Sequence, residues 1–330
     1  MADYKGIWCV AETRKGKLLP TAFELLTAAR KIAASRSEPV TAVVLGGPGT
    51  AAAAAPLAER GADKVLVLEH ASLADFVDEA YAGALKALAA KENPRTLLLP
   101  ATVFGRSLAP RLAVALRAGL VGDGIGLELD AQGRLVVERC CYAGNVIAGV
   151  TVRRAPEMAT LRPMAFPRSG PSGKKGEVVS VPVDPSAWTQ ASEYAGFLPD
   201  ESGEIDVAGA EKIVSGGRGL GKAEGFEDVR KLAKALGAAV GASRAAVDAG
   251  WIPYKHQVGL TGRSVRPRLY VACGISGQIQ HLAGMNGADT IIAINTDAEA
   301  PMMKLATYAL QGDLHKVLPA LVEEIQRARA

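Results

Sequence analysis

The chain has 330 residues, of which 49% are hydrophobic, so it is long and apolar enough to form two globular domains. Its formal net charge is only +4 and its aromatic content 5%. A basic, aromatic-rich surface of the kind that binds nucleic acid is therefore not expected. The four cysteines include no C-x-x-C motif and two of them are adjacent, which disfavours a zinc site and a disulfide framework.

The amino-terminal sequence shows no pattern typical of an export signal. It reads MADYKGIWCVAE, with neither a basic segment before an apolar one nor an amphipathic leader rich in Arg and Ser. No apolar stretch approaches the roughly 20 residues that span a bilayer. We therefore expect a soluble, cytoplasmic protein with no membrane insertion and no metal site.

Glycine is concentrated in one part of the chain. Residues 209–287 hold 15 of the 36 glycines, and no triplet period accompanies them. Collagen, flexible linkers and disordered tracts are poor explanations in a chain this hydrophobic. The excess indicates tight turns, or backbone that approaches a ligand closely.

The first half alternates apolar runs with helical patterns. Predicted strands cover residues 7–10, 40–45, 65–68 and 96–99, and predicted helices cover 21–34, 50–60, 73–90 and 105–117. Such alternation is typical of a parallel sheet covered on both faces.

The pattern changes from Gly126 onwards. Short apolar runs flank the turn sequence DAQG at 130–133, which indicates a hairpin, and further extended runs lie at 146–152 and 178–183. A surface loop is expected over 162–176 and a domain boundary near 184–203. The predicted fold is α/β with two domains: an N-terminal α/β sheet extended by antiparallel strands (1–203), and a C-terminal doubly wound parallel sheet (204–330).

Four turns follow the predicted strands of the second half, and such turns converge on one edge of a parallel sheet. They are 215–221 (SGGRGLG), 240–244 (VGASR), 273–281 (CGISGQIQH) and 294–297 (INTD). Each turn also has an explanation that needs no ligand. The turn 215–221 fits a loop that starts a helix, and Ser243 and Asp297 fit helix caps. His281 fits a core histidine whose hydrogen bonds are made within the protein. The glycine run 215–221 is expected to offer its backbone to an anion, and together the four turns suggest a pocket edge with two arginines, a histidine and many free amides, suited to a pyrophosphate. The loop 257–263 (QVGLTGR) adds a hydroxyl and a guanidinium. The simplest ligand that fits these groups is a dinucleotide, but the spacing of the residues does not distinguish a nicotinamide from a flavin dinucleotide.

Residues 212–319 resemble the electron transfer flavoprotein alpha subunit. The matching segments include SGGRGL at 215–220, AVGASRAAVDAG at 239–250, QVG at 257–259, and GISG at 274–277 followed by IQHLAGM at 279–285. The first half matches more loosely, through GRSLAPR at 105–111 and YAGN at 142–145. Three positions depart from the family pattern: Leu260 stands where glutamine is common, Arg263 where lysine is usual, and 307–310 is atypical.

The resemblance implies FAD in the C-terminal domain. It places Arg244 against the isoalloxazine, the Thr261 hydroxyl at N5 and His281 at the C2 carbonyl. It also assigns Arg218, Ser243, Ser276 and Gln280 to the ribityl and pyrophosphate, and Asn295 and Asp313 to the adenosine end. The cofactor-binding set it implies is Arg218, Ser243, Arg244, Val258, Gly259, Leu260, Thr261, Gly262, Ser276, Gly277, Gln278, Ile279, Gln280, His281, Asn295 and Asp313.

The resemblance also implies a heterodimer with a beta subunit that carries AMP, or a second FAD in bifurcating members. The expected function is electron transport from flavoprotein dehydrogenases, such as those of fatty acid β-oxidation, to a quinone oxidoreductase. No residue is expected to act as a nucleophile or general base. The alternative is a bifurcating flavoprotein that oxidises NADH. Two other classes stay open: a nicotinamide-dependent dehydrogenase, disfavoured by the lack of a strict G-x-G-x-x-G with a following acidic residue, and an adenine-nucleotide module without redox chemistry.

Overall fold

The computed structural model describes residues 4–144, 146–198 and 203–329. The chain forms two compact units that divide between Phe197 and Leu198, a few residues before the boundary that composition suggests. Among the described residues, no helix is both long enough and apolar enough to cross a bilayer.

The first unit is built on a nine-stranded sheet. The strands of this sheet are β1 (Ile7–Ala11), β4 (Val40–Gly46), β5 (Lys64–Glu69), β6 (Thr96–Pro100), β7 (Gly119–Leu129), β8 (Leu135–Cys141), β9 (Val146–Thr151), β10 (Glu157–Leu161) and β11 (Glu177–Ser180). The short strands β2 (Thr13–Arg14) and β3 (Lys17–Leu18) form a separate hairpin. Its helices are α1 (Thr21–Arg36), α2 (Ala54–Glu59), α3 (Asp78–Glu92) and α4 (Val103–Leu116). The strand order is β11-β5-β4-β1-β6-β10-β7-β8-β9.

Both faces of the parallel part of this sheet are covered. Alternate residues of β1 enter two separate cores, because successive side chains of a strand point to opposite faces. Ile7 and Cys9 pack with α1 and α2, whereas Trp8 and Val10 pack with α3 and α4. The strands β7, β8 and β9 add the antiparallel extension, so the predicted architecture is confirmed.

Several strands of the first unit differ from the sequence expectation, among them β10 and β11. The strand β10 was not predicted, yet it is buried along its whole length and pairs in parallel with β6 and β7. Its five residues, EMATL, carry too short an apolar pattern to be recognised. The run expected over 178–183 forms β11, which is shorter and lies parallel to β5 at the sheet edge.

A buried ion pair joins α1 to β10. Arg36 and Glu157 are 2.8 Å apart, with side chains only 4% and 9% exposed. Arg36 also donates to Thr96 Oγ1 at 2.9 Å and to the Gly133 carbonyl at 2.6 Å. Glu157 accepts from the Leu135 amide at 3.0 Å. The pair therefore connects a helix, two neighbouring parallel strands and the β7–β8 turn.

The second unit is a five-stranded sheet in which all pairs are parallel. Its elements are β12 (Lys212–Gly216), α5 (Phe226–Leu236), β13 (Ala239–Ala242), α6 (Arg244–Asp248), β14 (Leu269–Cys273), α7 (Ile279–Met285), β15 (Thr290–Asn295), α8 (Pro301–Leu305), β16 (Tyr308–Gln311) and α9 (Leu314–Arg327). The order β13-β12-β14-β15-β16 is a doubly wound arrangement, which confirms the prediction for this unit.

The helices of the second unit cover both faces of its sheet. One core includes residues of α5 and α9, and the other includes Met285 of α7 and Met302 and Met303 of α8. The edge strand β16 was not predicted. All four of its residues are exposed, so it lacks the buried apolar pattern by which the other strands were found.

Removing one charge of the buried pair should strongly destabilise the first unit. Glu157→Gln leaves the Arg36 guanidinium buried without its counter-charge, and we expect a loss of about 3–5 kcal/mol in the free energy of unfolding. The matched control is Glu92→Gln, which breaks an exposed pair with Lys64 at 3.9 Å and should cost under about 1 kcal/mol. Denaturant unfolding measures both. Equal losses would contradict the role given to the buried pair.

Candidate flavin site

The strand order of the second unit creates a crevice. The chain leaves β12 towards β13 on one side, and β14 begins the other half of the sheet. In open parallel sheets, ligands bind in the crevice that lies outside the carboxyl ends of the strands at such a switch point. The turns after β12 and β14 therefore form the floor of the candidate site.

Glycines allow these two turns to touch. The Gly217 amide donates to the Cys273 carbonyl and the Gly219 amide to the Gly274 carbonyl, both at 2.9 Å. A Cβ at Gly219 would lie 2.6 Å from Gly274 Cα, which is closer than real Cβ contacts. The expectation that this glycine run offers many free amides to an anion is therefore wrong for these two positions. Their amides hold the two turns together.

Free amides are found instead in the turn after β14. The amides of residues 275–278 have no hydrogen-bond acceptor among the described residues. Gly274 and Gly277 have positive φ angles of 62° and 85°, a backbone conformation that glycine adopts without strain. Backbone N–H groups with no protein acceptor can bind anionic oxygens.

The loop 257–263 is attached to both sides of the crevice. The Val258 amide donates to the Ala242 carbonyl at 2.9 Å, and the Leu260 amide donates to the Gln280 carbonyl at 2.7 Å. Gly259 between them has a φ of 145°, in the range that favours glycine. These bonds hold the loop against β13 and α7.

The Thr261 hydroxyl has a defined orientation. Gln257 Nε2 donates to Thr261 Oγ1 at 3.0 Å, and Tyr254 donates to the Thr261 carbonyl at 2.5 Å. Because the hydroxyl oxygen already accepts one hydrogen bond, its own proton is available to another acceptor.

These elements enclose a cavity of about 680 Å³, within the range of about 300–1,000 Å³ for small-molecule sites. Twelve of the sixteen predicted cofactor-binding residues line it: Arg218, Ser243, Arg244, Val258, Gly259, Leu260, Thr261, Ser276, Gln278, Gln280, His281 and Asn295. The predicted set omitted eight residues that also line it: Gly219, Ala245, Asp248, Gln257, Gly274, Ile275, Asp297 and Ala300.

Four predicted residues lie outside the cavity lining. Gly262 closes the loop by donating to the Gly259 carbonyl at 3.0 Å, and Gly277 packs against the start of α8 at Met302. Ile279 begins α7 with its side chain exposed. Asp313 caps α9 by accepting from the His315 amide at 3.0 Å. Their contact with a ligand stays a prediction.

The cavity wall carries two arginines and two aspartates, Asp248 and Asp297. Arg218 and Arg244 both line it and are exposed. Arg244 Nε donates to Asp248 Oδ2 at 3.2 Å, and the two side chains are 65% and 61% exposed. An ion pair this exposed is weak, so the Arg244 guanidinium keeps most of its charge available to a ligand.

His281 is the buried polar group of the wall, with 6% of its surface exposed. Burial lowers its pKa from 6.5 to about 4, and a nearby backbone group of Val258 offsets a smaller part of that effect. Nε2 lies 2.9 Å from the Tyr270 hydroxyl. Nδ1 has no partner of normal hydrogen-bond geometry among the described residues. The imidazole is therefore neutral near pH 7.

Comparison with known proteins decides the family. Residues 7–186 match the electron transfer flavoprotein domain, and residues 206–286 match the electron transfer flavoprotein FAD-binding domain. The electron transfer flavoprotein subunit alpha of Thermoanaerobacterium thermosaccharolyticum is 42% identical over 100% of both chains. The chain belongs to the electron transfer flavoprotein alpha subunit family. This membership supports a role in electron transfer.

Other family members are similar along their full length. The subunit alpha of Clostridium acetobutylicum is 41% identical over 99% of this chain and 98% of its own. Protein FixB of Clostridium saccharobutylicum is 40% identical over 98% of this chain and 97% of its own.

One similar solved structure is only distantly related. The 4-hydroxybenzoylformate decarboxylase of Rhodococcus jostii RHA1, which is thiamine diphosphate-dependent, is 12% identical with a TM-score of 0.24. The alignment covers 97% of this chain and 59% of that one, so this chain spans less than two thirds of that enzyme. Such a score carries no argument about fold or function.

The residues of the family's FAD-binding domain fit a flavin dinucleotide. The cavity has the size of a cofactor site, the turn 275–278 offers amides to a pyrophosphate, and two arginines supply positive charge. Leu260 gives an apolar surface at the wall and is 62% exposed. The size of the cavity and its donor groups therefore agree with the family.

Close packing of the two turns should be essential to this site. Gly219→Ala would force Cβ into Gly274, and we expect a loss of about 1–3 kcal/mol in unfolding free energy and a clear loss of FAD affinity. Gly209→Ala is the matched control, because Cβ there meets nothing within 4 Å. Flavin fluorescence titration and denaturant unfolding check the pair. Wild-type FAD affinity in Gly219→Ala would disprove the constraint.

The depressed pKa of His281 makes stability depend on pH. The unfolded chain binds a proton at this histidine below pH 6.5, but the folded chain does so only below about 4. Stability is therefore full above pH 6.5 and falls as the pH drops towards 4, by about 2 kcal/mol at pH 5. His281→Gln should remove this part of the loss between pH 7.5 and 5, as measured by denaturant unfolding. An unchanged pH dependence would contradict a buried neutral His281.

Proposed function

We propose that this chain binds FAD in the cavity of its second unit and acts as an electron carrier, paired with an electron transfer flavoprotein beta subunit. The observation that carries the proposal is the cavity at the switch point of β12 and β14, because it lies in the family's FAD-binding domain and gathers most of the implied cofactor contacts. The chain itself is expected to convert no substrate.

A bound flavin would supply reversible electron transfer, with negative charge developing near its N1 and C2 carbonyl, and the residues of the chain would position it and set its charge environment. Fixed positive or donating groups there favour that charge most where water is excluded. Arg244 and His281 are the residues that we propose for this role, since both line the cavity.

Thr261 is proposed as the partner of flavin N5. Its hydroxyl accepts from Gln257 and therefore has a proton free to donate to a ring nitrogen. The bond from Tyr254 to the Thr261 carbonyl fixes the same residue from its backbone. At the other end, we propose that Arg218 and the turn 275–278 hold the pyrophosphate.

The adenosine end is proposed to lie near Asn295. Asn295 Nδ2 donates to the Ile275 carbonyl at 3.2 Å, so the side chain is held at the cavity wall between β15 and the turn after β14. Asp313 is proposed to assist from the start of α9, although it lies outside the cavity lining.

The wider roles follow from family membership. We propose that the beta subunit carries AMP and that the heterodimer takes electrons from flavoprotein dehydrogenases acting on acyl-CoA, as in fatty acid β-oxidation. The acceptor is proposed to be a quinone oxidoreductase and the compartment the cytoplasm. The alternative is a bifurcating complex that oxidises NADH, with a second FAD in the beta subunit.

Co-expression with the beta subunit tests the proposal. The purified complex should be yellow and contain one FAD per heterodimer, released by denaturation and counted by absorbance. Two flavins per heterodimer would favour the bifurcating alternative. A complex without bound flavin would overturn the proposed function.

Arg244 should affect the flavin potential more than it affects flavin binding. Arg244→Ala removes a positive charge from the cavity wall, so we expect the potential of the first electron to fall by on the order of 50 mV. The FAD affinity should change less than tenfold. Arg327→Ala is the control, because this exposed arginine pairs only with Glu324 on α9 among the described residues. Reductive titration gives the potentials, and an unchanged first potential would show that Arg244 is misplaced.

A further inference from the structure

Tyr270 contacts the cavity histidine from inside the sheet. It is the second residue of β14 and is fully buried at 0% exposure. Its hydroxyl lies 2.9 Å from Nε2 of His281, the third residue of α7. Tyr270 does not line the cavity, so it can act on a ligand only through the imidazole.

The protonation of both groups limits how they can bond. Burial raises the pKa of the Tyr270 phenol above its ordinary value, so the hydroxyl keeps its proton. Burial also keeps the imidazole of His281 neutral. A neutral imidazole has one N–H and one nitrogen that only accepts. Either the phenol donates to Nε2, or Nε2 donates to the phenol.

The chemistry of the two groups favours the phenol as donor. A phenol O–H is more acidic than an imidazole N–H, and an imidazole nitrogen accepts a hydrogen bond better than a phenol oxygen, so the phenol donates to Nε2 at 2.9 Å. The N–H of the neutral ring is therefore on Nδ1, which is buried and has no partner of normal hydrogen-bond geometry among the described residues. On the other side, the Ser215 hydroxyl lies near the phenol and partly offsets the rise in its pKa caused by burial. Ser215 Oγ is buried and has no partner of normal hydrogen-bond geometry among the described residues.

The Ser215 hydroxyl has room because its neighbour on β13 is glycine. A Cβ at Gly241 would collide with Ser215 Oγ. The bond between Tyr270 and His281 is buried, and a buried hydrogen bond of this kind fixes the orientation of both side chains.

We infer that Tyr270 is a positioning residue for the flavin site: its hydroxyl donates to Nε2 of His281 and fixes the imidazole as the tautomer with its proton on Nδ1. The inference rests on the proposed function in one respect. The tautomer determines which N–H the imidazole can donate to a flavin, and this matters only if a flavin occupies the cavity. With Nε2 engaged, the one N–H that His281 can give to a carbonyl oxygen is on Nδ1.

Nitrogen NMR of the flavin-free chain tests the tautomer directly. In the wild type labelled at histidine with ¹⁵N, His281 Nδ1 should show the shift of a protonated nitrogen and Nε2 that of an accepting nitrogen at pH 7. Tyr270→Phe removes only the hydroxyl, and the two shifts should move towards the average of a mixed population. A wild-type ring protonated on Nε2 would overturn the inference.

Flavin potentials test the positioning role. Tyr270→Phe should lower the potential of the first electron and weaken FAD binding about two- to tenfold, as expected for one lost hydrogen bond. In a His281→Ala background the same substitution should change neither quantity. An equal fall of the potential in both backgrounds would show that Tyr270 acts without His281 and would overturn the role.

A matched control separates positioning from stability. Tyr81→Phe removes a hydroxyl that donates to the Leu73 carbonyl at 3.0 Å in the first unit, and it should leave the flavin potential and the His281 shifts unchanged.

Different results would overturn the proposed function and the inference about Tyr270. If the complex binds no flavin, the proposed function falls while the NMR shifts still decide the tautomer. If flavin binds and Tyr270→Phe leaves the shifts unchanged, only the inference falls.

Discussion

The candidate site depends on how closely two turns can approach. The turns after β12 and β14 meet with backbone against backbone, and their hydrogen bonds need positions without side chains at Gly217, Gly219 and Gly274. This contact fixes the floor of the crevice at the sheet's switch point. The loop 257–263, bonded to β13 and α7, then closes the crevice into a cavity.

Exposed charged groups and one buried neutral group of the cavity wall have different roles. The exposed arginines supply positive charge that water and salt weaken, whereas His281 is buried, neutral and aligned by Tyr270. A preorganised dipole needs no rearrangement when charge develops beside it. The wall thus combines exposed charged side chains with one buried imidazole of fixed orientation.

Sequence patterns could predict the layers and most of the cavity lining. Long buried runs such as β4 and glycine turns such as 215–221 carry strong local signals. The strand β10 and the edge strand β16 could not be found, since one is too short and the other is exposed on every residue. The glycine run was assigned to anion binding, but its amides at 217 and 219 are consumed by packing. Asp248 was missed although it stands four residues after Arg244 on α6, a spacing that places the two side chains side by side on a helix. The link from Tyr270 to His281 could not be predicted, because a contact between a strand and a helix requires the folded geometry.

The central claim is that a flavin occupies the cavity of the second unit. A crystal structure of the chain purified with its beta subunit tests it most directly. The account predicts FAD electron density between the turns after β12 and β14, with the isoalloxazine beside Thr261 and His281 and the pyrophosphate at residues 275–278. Density for the flavin elsewhere, with this cavity filled only by water, would contradict the account.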